Sequence, residues 1–82
     1  MTPELREQLM RLKTLAQSSR ESELSSLLRE LLVQNISRLL EENASELRVK
    51  ESLRGGARAI YDAENPPADD PVLILMGAIL DA

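Results

Sequence analysis

Residues 24–40 read LSSLLRELLVQNISRLL, and the spacing of the leucines and isoleucine in this stretch decides the fold class. Leu24, Leu27, Leu28, Leu31, Leu32, Ile36, Leu39 and Leu40 return every three or four residues. That is the period at which an α-helix brings side chains back to one side. Projected down a helix axis, these positions and Val33 cover roughly 240° of the circumference, whereas an ordinary surface helix needs an apolar stripe of little more than about 100°. Ser26, Glu30, Gln34, Ser37 and Glu41 fill the polar remainder. Such a helix needs cover from two sides. Either it is the central helix of the fold, or one of its faces is a subunit interface.

Upstream, Thr2-Pro3-Glu4 is a helix start: a capping hydroxyl, a proline suited to the first helical position, and an acid where the helix dipole favours one. Leu5, Leu9, Leu12 and Ala16 follow as one narrow stripe, flanked by Met10 and Leu15, with Glu7 and Arg11 spaced for an i,i+4 ion pair. Ser18 and Glu21 have capping-box spacing for the second helix, with Ser19 or Ser22 as competing caps. Downstream, Asn43 and Glu46 repeat the cap-plus-three pattern, so residues 41–44 are a break or a continuation. Val49, Leu53, Ala57 and Ile60 are again helical in phase. Gly55-Gly56 falls inside that phase; it reads as a helix end or as a site of close packing within a continuous helix, and the unbroken phase favours continuity.

Two adjacent prolines, Pro66-Pro67, cannot sit inside a regular helix, so residues 63–70 read as a linker. Asp70-Pro71 then opens the run VLILMGAIL at residues 72–80, apolar on every side. Its periodicity leaves a strand open, but helix is the favoured reading. A helix of this kind is expected to be buried all round. The chain thus reads as all-α: a small helical bundle or helical hairpin of three to four helices. It is a single domain over 1–82, with a helical core at 1–62 and an apolar C-terminal helix at 71–82 docked after the proline linker.

Composition narrows the function. The chain has 82 residues, no cysteine and no histidine. Disulfides, thiolate and imidazole metal sites, cysteine nucleophiles and Ser-His-Asp chemistry are therefore absent. Tyr61 is the sole aromatic, which removes base-stacking platforms, and the net charge of −4 opposes a phosphate-binding surface. Residues 1–6 carry no secretory pattern, and the longest apolar run is about half of a membrane span. A cytoplasmic protein without cofactor, small-molecule substrate or enzymatic activity is the expectation.

What remains is apolar helix surface in a chain too short to hide much of it; a domain of about this size buries only about 60% of its extended-chain surface. The expected role is a non-catalytic protein–protein interaction module, self-associating or bound to another protein. Its expected contact residues are Leu28, Leu32, Ile36, Leu39 and Leu40 on the second helix and Leu73, Leu75, Met76, Ile79 and Leu80 on the last. Asn35, inside the apolar arc, is either a register-setting polar group or a hydrogen-bonded residue at a wet edge. The terminal run is expected to fold back onto its own bundle, with docking on a partner as the other outcome.

Lys50, Arg54 and Arg58 recur every four residues and form a basic stripe. The plain reading is a solvated surface, with Lys50 paired to Glu46 and Arg58 to Asp62. The alternative is a small nucleic-acid- or anion-binding regulator that grips phosphate with these three side chains. After Arg58 every charged side chain is acidic. One copy's tail against another's stripe is a further arrangement open to the chain.

Overall fold

The computed structural model describes residues 1–81; the last residue of the expected C-terminal helix, 82, lies outside the described residues. Four helices account for most of the chain: α1 (Pro3–Ser18), α2 (Ser26–Glu41), α3 (Glu46–Glu64) and α4 (Pro71–Asp81). No strand occurs among the described residues. The bundle measures 29 × 21 × 18 Å. None of its helices is long and apolar enough to cross a membrane, again among the described residues.

Each helix start is made by a hydroxyl or carboxylate that takes up an orphan backbone N–H. Thr2 accepts from the Leu5 N–H at 3.2 Å. The caps of α2 and α3 lie elsewhere than local spacing suggests. Ser25, rather than Ser18, Ser19 or Ser22, caps α2 by accepting from the Leu28 N–H at 3.2 Å. Ser45, rather than Asn43, caps α3 by accepting from the Arg48 N–H at 3.2 Å. Asn43 ends α2 instead. With φ 47 it occupies the left-handed region, its N–H donates to the Leu40 carbonyl, and the Ala44 N–H donates to the Leu39 carbonyl. This is a Schellman closure with asparagine in the usual glycine position, and Ala44 is buried as that motif's apolar contact. Asn65 ends α3 in the same left-handed region, φ 42, so that helix runs two residues into the sequence-marked linker.

The second helix begins late because residues 19–25 are held by distant parts of the chain. The Ser22 hydroxyl donates to both carboxylate oxygens of Asp70 at 3.0 and 3.1 Å, and the Glu23 N–H donates to the same carboxylate at 2.8 Å. Asp70 also accepts from the Val72 N–H at 3.0 Å, which makes it the cap of α4. Leu24 is buried, and the Ser25 N–H donates to the Glu64 carboxylate at 2.9 Å. A cap-plus-three match proposes a local start; these tertiary bonds override it.

The core is one cluster drawn from all four helices. The α1 stripe of Leu5, Leu9, Leu12 and Ala16 is buried throughout. From α3 come Val49, Leu53 and Ile60, and from α4 Val72, Leu73, Met76 and Ile79. The α4 helix packs on α1 and α3, so the terminal apolar run is buried by its own chain. Its cover is incomplete: Ile74 remains 57% exposed. The expectation of a central second helix does not hold. α2 packs extensively on α1 but far more thinly on α3, and α4 takes the place between α1 and α3.

Asp70 is 3% exposed and joins the α1–α2 loop to the start of α4. Replacing it with alanine removes a helix cap at a buried N–H and leaves two half-buried donors without their carboxylate, a loss of about 1–3 kcal/mol. Urea unfolding of Asp70→Ala should show that loss as a lower midpoint at unchanged slope. A change under about 0.5 kcal/mol would mean that the loop and α4 are joined by something else.

Candidate functional site

The contact residues expected from sequence divide on burial. Leu32, Ile36, Leu39, Leu73, Met76 and Ile79 are buried in the chain's own core. Leu28, Leu40, Leu75 and Leu80 are half-buried and pack against that core. In a single chain, then, these side chains are occupied internally. Large apolar side chains stay exposed on every helix, Met10 on α1, Leu47 on α3 and Ile74 on α4 among them, and α2 carries two. Leu27 is 66% exposed and Leu31 50% exposed, one helical turn apart on α2.

Beside these two leucines the thin α2–α3 contact leaves a cleft of ≈ 130 Å³. Leu28, Leu31 and Leu32 form its α2 wall, and Gly56, Ala59 and Ile60 form its α3 wall. Ordinary small-molecule sites are about 300–1,000 Å³. This cleft fits a side chain or two rather than a metabolite. Its α3 wall is low because glycine and alanine stand where larger side chains would close it.

Asn35 marks the far end of the cleft. Its amide nitrogen donates to the Ser52 hydroxyl at 2.7 Å, a bond between α2 and α3 of the same chain. Within the chain this bond satisfies the Asn35 amide and ties α2 to α3. At the other end the Ser25 N–H to Glu64 bond ties the same two helices. The helices are therefore pinned at both ends by polar bonds and left unfilled between.

Gly56 of the low wall and its neighbour Gly55 are not needed for the fold. Neither has a positive φ, since the helix runs through both. A Cβ added at Gly55 would meet nothing within 4 Å, and one at Gly56 would reach only Met76 Cε at 4.0 Å, an ordinary contact. Two interior glycines nonetheless cost a helix about 1–2 kcal/mol relative to alanine. The continuity expected across Gly55-Gly56 is observed, but close packing inside the chain does not explain the pair.

The basic stripe does not converge on a pocket. Lys50 is paired with Glu46 at 3.5 Å, as the i,i+4 spacing suggests. Arg54 and Arg58 are exposed, and Arg58 makes no ion pair with Asp62; the Glu7–Arg11 pair does not close either. Arg48 instead meets Glu42 at 3.8 Å. The acidic tail is partly spent inside the chain, through Glu64 on Ser25 and Asp70 on the 22–23 loop. A second, wider depression of ≈ 450 Å³ lies between α1 and α2, over Ala16 and Val33. Its one cation, Arg29, is committed through Nη1 to the Ser19 carbonyl at 2.6 Å, while its Nε is buried without a partner. No group of three acidic residues suited to a metal ion gathers among the described residues.

The exposed α2 leucines should be separable from the core by stability. Leu27→Gln and Leu31→Gln should each shift unfolding free energy by less than about 1 kcal/mol, while Leu53→Ala, at a fully buried position, should cost about 2–5 kcal/mol. A core-sized loss at position 27 or 31 in thermal or urea melts would make this surface structural. Compared with protein-family models, with curated proteins and with solved structures, the chain matches none of them.

Proposed function

We propose that this chain is a non-catalytic protein-interaction module whose α2–α3 face receives a helical protein surface. The observation that carries this reading is the pairing of two exposed leucines, Leu27 and Leu31, with an unfilled apolar cleft beside them. Fully burying a leucine contributes about 1.5–3 kcal/mol. Covering what is still exposed of both would therefore contribute roughly 2–3 kcal/mol, a meaningful share of the 5–15 kcal/mol that holds a small domain together. A partner helix laid along the cleft collects that gain, the helix-in-groove mode of recognition.

Adaptor, assembly factor, chaperone-like subunit and inhibitor are all roles for such a module. A cytoplasmic setting belongs to the same proposal and rests on the lack of cysteine. The buried carboxylate of Asp70, which would otherwise be the natural candidate for acid–base work, is already engaged by three donors. Nucleic-acid binding through Lys50, Arg54 and Arg58 gains no support from the arrangement, because these side chains do not frame a groove and the net charge opposes it.

A photo-reactive residue at position 31, in cells that make the protein, should give a covalent adduct with protein, and one at position 54 should not. Adducts from position 54 with none from position 31 would overturn this reading in favour of the basic stripe.

A further inference from the structure

Resting on the reading of the α2–α3 face as a docking surface, we propose that its occupant is a second copy of this chain. The two protomers form a pair whose two-fold axis runs along α2 and α3, so that α2 of each lies on α3 of the other. Three features of the face point to it.

The first is shape. One face carries both a ridge, Leu27 and Leu31, and a low wall, Gly56 and Ala59. A two-fold interface must match itself, with each patch meeting its counterpart reciprocally. Rotation about an axis along the helices exchanges left and right but keeps height. Leu31 shares one cleft with Gly56 and Ala59, so the three lie at one level. The rotation therefore seats the ridge of one protomer on the low wall of the other, twice.

The second is charge. Glu30 sits on the outer edge of α2 and Arg58 on the outward side of α3, and both are exposed. Neither enters an ion pair among the described residues. The antiparallel register is fixed by the bond from Asn35 to Ser52. It puts Glu30 level with Arg58. Exchanging the helices brings Glu30 of one protomer to Arg58 of the other. Opposite signs meet, which selects this axis over one set across the helices. Like charges meet at the rim near the start of α2, around Glu23 and Asp62, where water screens them.

The third is the unexplained glycine pair. Gly55 has open space where its side chain would be, and Gly56 nearly so. A helix arriving from outside supplies the close approach that the chain's own packing does not require.

The size of the face sets the strength. A 16-residue helix is about 24 Å long, and two helices side by side are about 20 Å wide, so each protomer offers roughly 500 Å². That is below the ~800 Å² per partner of a standard interface and fits a reversible dimer with Kd of roughly 1–100 µM.

Sedimentation velocity of the full chain from about 5 to about 500 µM tests this directly. A concentration-dependent monomer–dimer equilibrium is expected. Glu30→Arg and Arg58→Glu should each weaken it about 10-fold, and the double exchange should restore it to within about 3-fold. Gly55→Leu should abolish the dimer while helix content and melting temperature hold or rise, which separates interface loss from misfolding. A folded monomer at about 500 µM overturns the proposal, and so does a dimer indifferent to Gly55→Leu. Weakening by both single charge changes without recovery in the double overturns the proposed axis. If the protein stays monomeric while position 31 cross-links to a different protein, the docking reading stands and the second copy falls.

Discussion

The packing of α4 between α1 and α3 is the constraint from which the rest of this structure follows. A helix with Val72, Leu73, Leu75, Met76, Ile79 and Leu80 on its surface loses several kcal/mol if left in water, comparable to the stability of the whole domain. It therefore takes the best-covered position available, against both α1 and α3. That position lies opposite α2. With α4 holding α1 and α3 together on one side, α2 is left to close the other, and it does so mainly through α1. The thin α2–α3 seam and its unfilled cleft are consequences of where the most apolar helix had to go.

Asp70 makes that arrangement specific. Apolar burial alone is tolerant of sliding and rotation, because leucine and isoleucine satisfy many packings. A buried carboxylate with three fixed donors is not tolerant, since any displacement leaves a charged group or an amide unpaired. By capping α4 and gripping Ser22 and Glu23 with the same oxygens, Asp70 fixes where α4 starts relative to the α1–α2 loop. The Glu64–Ser25 and Asn35–Ser52 bonds do the same for α3 relative to α2. Greasy surface supplies the driving force here, and a few polar bonds between distant residues supply the register.

This division explains what could be read from the sequence. The α1 stripe, the continuity of α3 through its glycines, the proline linker and the terminal apolar helix all follow from period and backbone chemistry, which are local. The caps of α2 and α3 do not. Ser18, Ser19, Ser22 and Asn43 all fit a local cap pattern. Ser22 is drawn off to Asp70, 48 positions away, and Asn43 to the left-handed turn that closes α2. The exposed apolar positions were not legible for a different physical reason. The contact residues expected on α2 came from the middle of the apolar arc, around Leu32, Ile36 and Leu39. The middle of an amphipathic arc is the part a fold buries first. What it leaves over is the edge, and Leu27 stands at the edge of this arc with Leu31 next to it.

An arc of roughly 240° facing a core that covers less must leave a remainder, and the remainder appears on the side where cover is thinnest. On α2 that side is toward α3, whose facing positions are Ser52, Gly56 and Ala59. Larger residues there would have filled the cleft from within, covered Leu31, and stabilised α3 at the same time. The chain has instead a helix weakened by two glycines beside two uncovered leucines, both unfavourable for an isolated molecule. Neither feature offsets the other inside a single chain. The docking proposed above, a helix laid across the cleft, would offset both. Two separate local costs relieved by the same contact are stronger grounds for an interface than exposed leucine alone, because scattered surface leucines are common on proteins that bind nothing through them.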